Sequence, residues 1–312
     1  MKIDLSIITP CFNEEDSVRI CAETVQSVMA KELPKVKYEH IFSDNASTDQ
    51  TMKQLRLLAA KDKRIKVVSN SINVGPFRNM YRAMSKAQGA AIVPMLPADL
   101  QDPAEVIPEF YQEWLNGHLV VFGKRINRQE TVILRILRGL YYRLIRSLAE
   151  NEIPINSGEF MLIDKKIAKN ILALDDHYPY IRGLVAQSTN SRKSINYNWT
   201  RRKQGKSKSG IFNLIDQAIN GLISTSRVPA RIALVFGFAI SGIGIVAGLF
   251  TFFVSIFDTN QVVQGIPTVI VGLFIFGGIQ LFFLGLLGEY ILSIHAQVRP
   301  HPKAFDIETI NF

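Results

Sequence analysis

The chain has 312 residues, enough for one sizeable hydrophobic core with a smaller module attached. Hydrophobic residues make up 47% with a local excess, and the formal charge of +9 suits an anionic membrane surface, a phosphorylated substrate or a nucleic acid. Two cysteines, Cys11 and Cys21, exclude a disulfide framework and a cysteine metal site, and "MKIDLSIITP" turns polar too soon for a secretory signal, so the N-terminal part is expected in the cytoplasm.

Strand and helix signals alternate from the start. "LSIITPCF" reads as an apolar strand ending in a Pro/Asn/Glu turn, followed by a helix over about 16–31. "YEHIFSDNAS" is a second strand ending in a polar loop. "TDQTMKQLRLLAAKD" is a helix that Ser47 or Thr48 would cap. "IKVVSNS" is a third strand, "PFRNMYRAMSKAQG" a helix closed by Gly89, "AAIVPML" a fourth strand and "HLVVFGKR" another. Such alternation argues an α/β domain with a mostly parallel sheet and helices on both faces. Ligands in such sheets bind at the carboxyl ends of the strands.

Two basic amphipathic stretches follow. "ETVILRILRGLYYRLIRSLAE" sets Arg135, Arg138, Arg143 and Arg146 among Leu, Ile and Tyr, and "GIFNLIDQAINGLISTSRVPARI" spaces apolar residues by three and four. Both suit the plane of a bilayer interface, which their nearness to the apolar runs that follow favours over ordinary surface helices. From Arg231 an apolar run carries no charge until Asp258, and a second run from Ile266 carries one, Glu289. Each exceeds the roughly 20 residues that cross a hydrocarbon core. Arg227 and Arg231 precede the pair, Arg299 and Lys303 follow it, and the short link has no basic residue. The positive-inside rule then makes a hairpin with both outer ends cytoplasmic. The expected layout is a cytoplasmic domain over 1–210, a juxtamembrane helix over 211–229, spans over 230–257 and 266–294 joined by an external loop over 258–265, and a cytoplasmic tail over 295–312. Gly-rich span faces would allow copies to pack together.

The chemistry-bearing residues gather at four strand ends. The first offers Thr9, Pro10, Asn13, Glu14 and Glu15; the second Asp44, Asn45, Ser47 and Asp49; the third Asn73, Gly75 and Arg78; the fourth Asp99, Gln101 and Asp102. No G-x-G-x-x-G follows the first strand, no P-loop pattern occurs, and no Gly-x-Ser-x-Gly elbow or histidine–nucleophile pairing stands out. The five histidines are scattered; His40 falls in a strand and none is placed as a metal ligand.

Read in order, "ITPCFNEEDS", "SDNASTDQT", "NVGPFRNMYRAMSKAQGA" and "PADLQDPAEVIPEF" resemble the successive signatures of family 2 glycosyltransferases of the GT-A fold. "GKRINRQET", "SGEFMLIDKKI", "YIRGLV", "RRKQGKSKSG", the paired spans and "LLGEYI" narrow the likeness to the polyprenyl-phosphate glycosyltransferases, the group of dolichyl-phosphate mannose synthase and the bacterial GtrB-type and ArnC-type enzymes. The resemblance runs from Leu5 to about Pro300. It implies inverting transfer of a sugar from a nucleotide-diphosphate donor (UDP or GDP) to a polyprenyl phosphate, undecaprenyl or dolichyl, on the cytoplasmic face of the inner (plasma) membrane. Membrane and lipid phosphate, not nucleic acid, are then the partners of the basic charge. The acceptor phosphate is already largely ionised, so a strong general base matters less than in transfer to a hydroxyl. Holding two anions together and stabilising the leaving diphosphate is the harder task, and calls for a divalent cation, Mg²⁺ or Mn²⁺, and for Arg or Lys.

By the same resemblance Pro10, Asn13, Glu14, Asp44, Asn73, Gly75 and Arg78 would hold the donor nucleotide, with Asp44 on the base and Glu14 on base or ribose. The plainer alternative makes these residues turn formers. Asp99 matches the second acid of the family's Asp-x-Asp and Gln101 a polar residue that helps hold the metal; Asp102 is read as a helix cap. Glu159 stands where the family has its catalytic or acceptor-orienting carboxylate, usually Asp. Arg125 joins Asp99 and Glu159 as a catalytic candidate; Arg128, Arg135 and Arg138 are candidates for the lipid phosphate, and Arg202, Lys206 and Lys208 for a lid over the diphosphate. The sequence departs from the family at Pro97, in place of the first metal acid, and at Asn45, where a second Asp commonly follows. Mg²⁺ commonly uses one or two protein carboxylates and completes its shell with phosphate and water, so Asp99 with Gln101 is read as a reduced metal site.

Overall fold

A computed structural model describes residues 2–126, 157–176, 179–199, 266–299 and 305–312, with parts of 235–250. The described residues up to 199 and those from 305 onward belong to one compact unit, and the helix over 266–298 to a second.

The first unit is built on an eight-stranded sheet in the order β7-β5-β6-β4-β1-β2-β3-β8. Its strands are β1 (Leu5–Cys11), β2 (Tyr38–Asp44), β3 (Ile65–Asn70), β4 (Ala91–Val93), β5 (Val120–Ile126), β6 (Ser157–Asp164), β7 (Arg192–Asn198) and β8 (Asp306–Ile310). Six run one way, while β6 and β8 run against their neighbours. Every residue of β2 and β3 is buried, as expected of strands covered on both faces. Successive residues face opposite ways. Leu5 and Ile7 join Val18, Val25, Leu55 and Phe110 beneath α1 (Val18–Glu32), α2 (Thr51–Lys61) and α4 (Ile107–Leu115). Ile8 and Ile41 join Met80, Met84, Ile167 and Val185 beneath α3 (Pro76–Lys86), α5 (Lys165–Leu172) and α6 (Ile181–Ser188). The sheet is thus mostly parallel and sandwiched by helices, as the strand–helix alternation predicts.

Several local expectations are corrected. Neither Ser47 nor Thr48 caps α2: the helix begins at Thr51, and the Ser47 hydroxyl accepts from the Asn13 backbone N–H at 2.9 Å instead. α3 ends at Lys86, before Gly89. Gly89 is needed for packing, since a Cβ there would lie 2.5 Å from the Ser6 nitrogen. The fourth strand shortens to Ala91–Val93, because Pro94 offers no N–H to a ladder. Strands β6, β7 and β8 carried no strand signal in the sequence reading, and β8 falls inside the expected tail. There it pairs antiparallel with β3, Val67 opposite Ile310 and Asn70 opposite Asp306.

The second unit contains the 33-residue helix α7 (Ile266–Val298). Within it Ile275–Val298 is long and apolar enough to cross a membrane, with none of that stretch buried in the protein. Leu281, Phe282 and Ile291 are each more than 60% exposed, a surface suited to hydrocarbon rather than water. This is one such helix among the described residues. The expected first span, 230–257, lies mostly outside them, with short helical stretches described between 235 and 244. The juxtamembrane segment 211–229 and loop 258–265 also lie outside the described residues.

Candidate functional site

The carboxyl ends of β1 to β5 form one rim. Because β6 and β8 run the other way, their first residues reach it too: Ser157 lies opposite Lys124, and Asp306 opposite Asn70. Pro10, Asn13, Glu14, Asp44, Asn73, Gly75, Arg78, Asp99, Gln101, Arg125 and Glu159 all lie on or next to these strand ends. Arg128, Arg135, Arg138, Arg202, Lys206 and Lys208 fall outside the described residues.

Three rim loops each hold a non-glycine residue in the left-handed region: Asn13 (φ 54°), Ala46 (φ 60°) and Leu100 (φ 53°). Each costs about 1–3 kcal/mol and persists only where surrounding structure enforces it. The enforcement is visible for the first two. Asn13 Nδ2 donates to Thr48 Oγ1 at 3.2 Å, and its Oδ1 accepts from the Thr48 N–H at 2.8 Å. The Glu14 N–H donates to Thr51 Oγ1 at 2.8 Å, and Glu15 accepts from the Gln50 N–H at 2.8 Å. The amide of Asn13 therefore clamps the first loop to the second, a structural use beside the ligand role suggested by the sequence.

Asp44 ends β2 almost fully buried. Its carboxylate accepts from Ser69 Oγ at 2.9 Å and from the Ser47 N–H at 3.3 Å. Next to it Asn45 organises the third loop: Nδ2 donates to Asn73 Oδ1 at 2.7 Å, and Oδ1 accepts from the Val74 N–H at 2.9 Å. An Asp at 45 could not donate to Asn73, which gives the departure from the family pattern a physical reason. Asn73 Oδ1 also accepts from the Gly75 N–H at 2.9 Å, and Gly75 itself sits at φ 82°. Arg78 lies in the first turn of α3, partly buried.

On the fourth loop the Leu100 N–H donates to the Pro97 carbonyl at 3.0 Å, closing a tight turn around Asp99. Asp99 Oδ1 accepts from the Gln101 N–H at 3.1 Å. Pro97 supplies that turn but no side-chain ligand. Among the described residues no three His, Cys, Asp or Glu side chains converge as a metal site. A hard cation that takes one carboxylate and completes its shell with phosphate oxygens and water is compatible with Asp99 and Gln101.

Asp102 is not a helix cap: the short 3₁₀ turn after Pro103 has no side-chain cap. Its carboxylate is buried and bound bidentately by Arg125, Nε at 2.9 Å and Nη2 at 2.6 Å, while Tyr197 Oη donates to it at 2.6 Å. Burial opposes charge on Arg125, but the Asp102 carboxylate outweighs it and raises the guanidinium's pKa further. Burial first, then the Asp102 charge, raises the Tyr197 phenol. Gly158 makes room for this arrangement, since a Cβ there would lie 3.0 Å from Arg125 Nη2. Arg125 therefore sits directly beside the backbone that carries Glu159, and its fork is already committed to Asp102.

Beneath the rim His40 bonds Thr9 Oγ1 through Nε2 at 2.8 Å, and its Nδ1 is buried with no hydrogen-bond partner among the described residues. Burial pushes this histidine down to about 3. Burial likewise pushes the Cys21 thiol up to about 12 and raises Cys11. All three are packing groups at neutral pH. Sequence reasoning passed over Asn70, Asn79 and Tyr197. The two amides lie on separate elements, and Tyr197 is 95 positions from Asp102, so no local pattern joins them.

A sandwiched α/β sheet with a polar, strained carboxyl-end rim is an α/β domain whose candidate site lies where such sheets bind their ligands. Residues 6–172 match the family described as glycosyl transferase family 2. The chain belongs to that family and is an enzyme of glycosyl transfer. It is 31% identical over 312 residues to the uncharacterized glycosyltransferase YkcC of Bacillus subtilis, covering 98% of this chain and 95% of that one. It is 29% identical over 300 residues to the SfII prophage-derived bactoprenol glucosyl transferase of Shigella flexneri, covering 96% of each. Among solved structures it aligns with glucosyl-3-phosphoglycerate synthase of Mycobacterium tuberculosis bound to Mn²⁺, UDP and glucosyl-3-phosphoglycerate, at TM-score 0.48 and 17% identity, covering 71% of this chain and 79% of that one.

Proposed function

We propose that this enzyme transfers a sugar from a nucleotide-diphosphate sugar to a polyprenyl phosphate at the cytoplasmic face of the plasma membrane, with inversion. The observation that carries the reading is the extent of the similarity to proteins named bactoprenol glucosyl transferase: it covers 96% of this chain and so extends through the apolar helix. An oxygen of the acceptor phosphate forms the new bond to the anomeric carbon, the bond from that carbon to the donor's β-phosphate oxygen breaks, and the nucleoside diphosphate leaves.

Asp44, Glu14, Pro10, Asn73, Gly75 and Arg78 hold the nucleotide in this reading, and Asn13 holds their loops in register. Asp99 and Gln101 would hold Mg²⁺ or Mn²⁺, which when bound would supply charge neutralisation for the diphosphate. Glu159 orients the acceptor phosphate, with Arg128, Arg135 and Arg138 as its counter-charges, and Arg202, Lys206 and Lys208 close over the diphosphate. Arg125 keeps Glu159's strand end in place through Asp102.

The return of the chain to the catalytic sheet at β8 supports a two-span hairpin. A unit that begins before the apolar segment and ends after it lies on one side of a bilayer, so the segment between must cross an even number of times. One qualifying helix then asks for a second crossing, and 230–257 is the apolar run available for it.

The test is a donor screen. Purified protein with undecaprenyl phosphate and UDP- or GDP-sugars should yield a lipid-linked monosaccharide with one donor class. Asp99→Asn should lower the rate at least about a hundredfold with little change in thermal unfolding. Nucleotide binding with no lipid product from any donor would sink the acceptor assignment.

A further inference from the structure

We propose that Arg82 and Asp306 are positioning residues for the donor loop, so that the strand after the membrane segment is part of the donor site's frame. The inference rests on the assignment of Asp44 and the 73–75 loop to the nucleotide.

A continuous chain of hydrogen bonds links β8 to that loop. Asp306, the first residue of β8, accepts from Arg82 Nη2 at 2.7 Å and pairs through its other oxygen with Lys86 Nζ at 2.7 Å. Arg82 Nε donates to Asn70 Oδ1 at 3.1 Å. The amide nitrogen of Asn70 then faces Asn79 Oδ1 at 2.8 Å and Asn45 Oδ1 at 3.3 Å. Asn45 in turn holds Asn73 and the Val74 N–H. Asn70, Asn45 and Asn79 are all at most 3% exposed.

An amide side chain has one end that accepts and one that donates, and nothing in its shape says which end points where. A cation removes the ambiguity on the outer side: Arg82 can only donate, so Asn70 turns its oxygen to it and its nitrogen inward. The same orientation is demanded from the other side: Asn45 Oδ1 accepts from the Val74 N–H, and Asn79 Nδ2 donates to the Ser43 carbonyl at 2.7 Å, so both present oxygens to the Asn70 nitrogen. Asn45 is left with its nitrogen toward Asn73. Without Arg82 the buried Asn70 oxygen loses that donor, and the amide that backs Asn45 and its hold on the 73–75 loop is gripped from one side only. Arg82 is itself a long, partly exposed side chain with many rotamers, and Asp306 restricts it to the one that reaches Asn70. Burial opposes ionisation of Asp306, but bonding to Lys86 and the charges of Lys86 and Arg82 win and lower its pKa, so the anchor stays charged at neutral pH.

Calorimetry with UDP and GDP, and steady-state kinetics on the full chain, test this. Asp306→Ala and Arg82→Gln should each weaken nucleotide binding and raise the donor KM roughly tenfold, with kcat and the acceptor KM changed less than about twofold. Asp306→Glu should restore most of the loss. Glu308→Ala is the control for strand docking: it sits on the same strand, bonds Arg56 at 2.6 Å and belongs to no relay. Its donor KM should stay at the wild-type value. Equal shifts in the Asp306 and Glu308 variants would overturn the relay in favour of simple strand docking, and an unchanged donor KM in the Asp306 and Arg82 variants would overturn it outright. Wild-type protein that binds neither UDP nor GDP would instead remove the underlying nucleotide assignment.

Discussion

The loops of the two halves of the rim are held by different kinds of contact. On the β1–β2–β3 side the loops themselves are tied by amides, hydroxyls and backbone groups, with Asp44 seated on a serine hydroxyl and an N–H, and ion pairs enter only at the outer edge, where Arg82 and Lys86 meet Asp306. On the β4–β5–β6 side one ion pair, the buried Asp102 with the mostly buried Arg125, joins the fourth loop to the strand end beside Glu159. Neutral bonds set direction and distance in small, separable steps. A buried ion pair is closer to all-or-none, because either charge alone is far costlier than the pair. The first half is thus built for accurate placement of loops, and the other half for keeping a single guanidinium charged and still beside the strand end that carries Glu159.

The largest break in that contrast should come from Asp102→Ala. It strands the Arg125 charge and removes the Tyr197 acceptor, so a loss of about 3–5 kcal/mol is expected, read as the fall in thermal unfolding temperature in detergent. A loss under about 1 kcal/mol would mean that water reaches Arg125 and that the two halves do not differ in kind. On the neutral side Asn79→Ala should cost about 2 kcal/mol. The buried Ser43 carbonyl and Asn70 amide each lose a partner while no charge is stranded. A cost matching that of Asp102→Ala would erase the distinction.

The third expectation concerns pH. The neutral half contains His40, whose pKa is about 3 folded against an ordinary value near 6.5. Between those values the unfolded chain binds the extra proton, so this contribution to stability is full above about pH 6.5 and falls as pH drops toward 3. The slope approaches, at most, about 1.4 kcal/mol per pH unit. His40→Asn should flatten the acid limb of stability while lowering stability at pH 7 by a smaller amount. An unchanged slope between pH 6 and 4 would show that His40 is not held neutral. The smallest effect is expected at the surface: Arg56 and Glu308 are paired but exposed, and Arg56→Ala should cost no more than about 1 kcal/mol.

The parts legible in the sequence were those whose cause is local. The alternation of apolar runs with 3.6-period segments marks β1 to β5 and α1 to α3, because a strand covered on both faces needs unbroken apolar residues and a helix on a sheet needs one apolar stripe. Asp44 and Asp99 stood out because carboxylates at the end of a buried run are rarely there for packing, whereas Glu159, which precedes its apolar run, was marked only by the family resemblance. Asp102 was misread for the same reason: next to Pro103 it has the local look of a cap, and its partner Arg125 lies 23 positions away.

The sequence by itself thus determined the sandwiched sheet, the polar rim and the apolar C-terminal helix, since each follows from the pattern of neighbouring residues. Only the tertiary structure decided which way β6 runs, and so why Glu159 reaches the rim. It alone decided that Asp102 meets Arg125 and Tyr197, and that residues 306–310, after the apolar helix, complete the sheet beside β3. Strand order and long-range pairing depend on which distant surfaces bury each other best, and a window of adjacent residues carries no record of that choice.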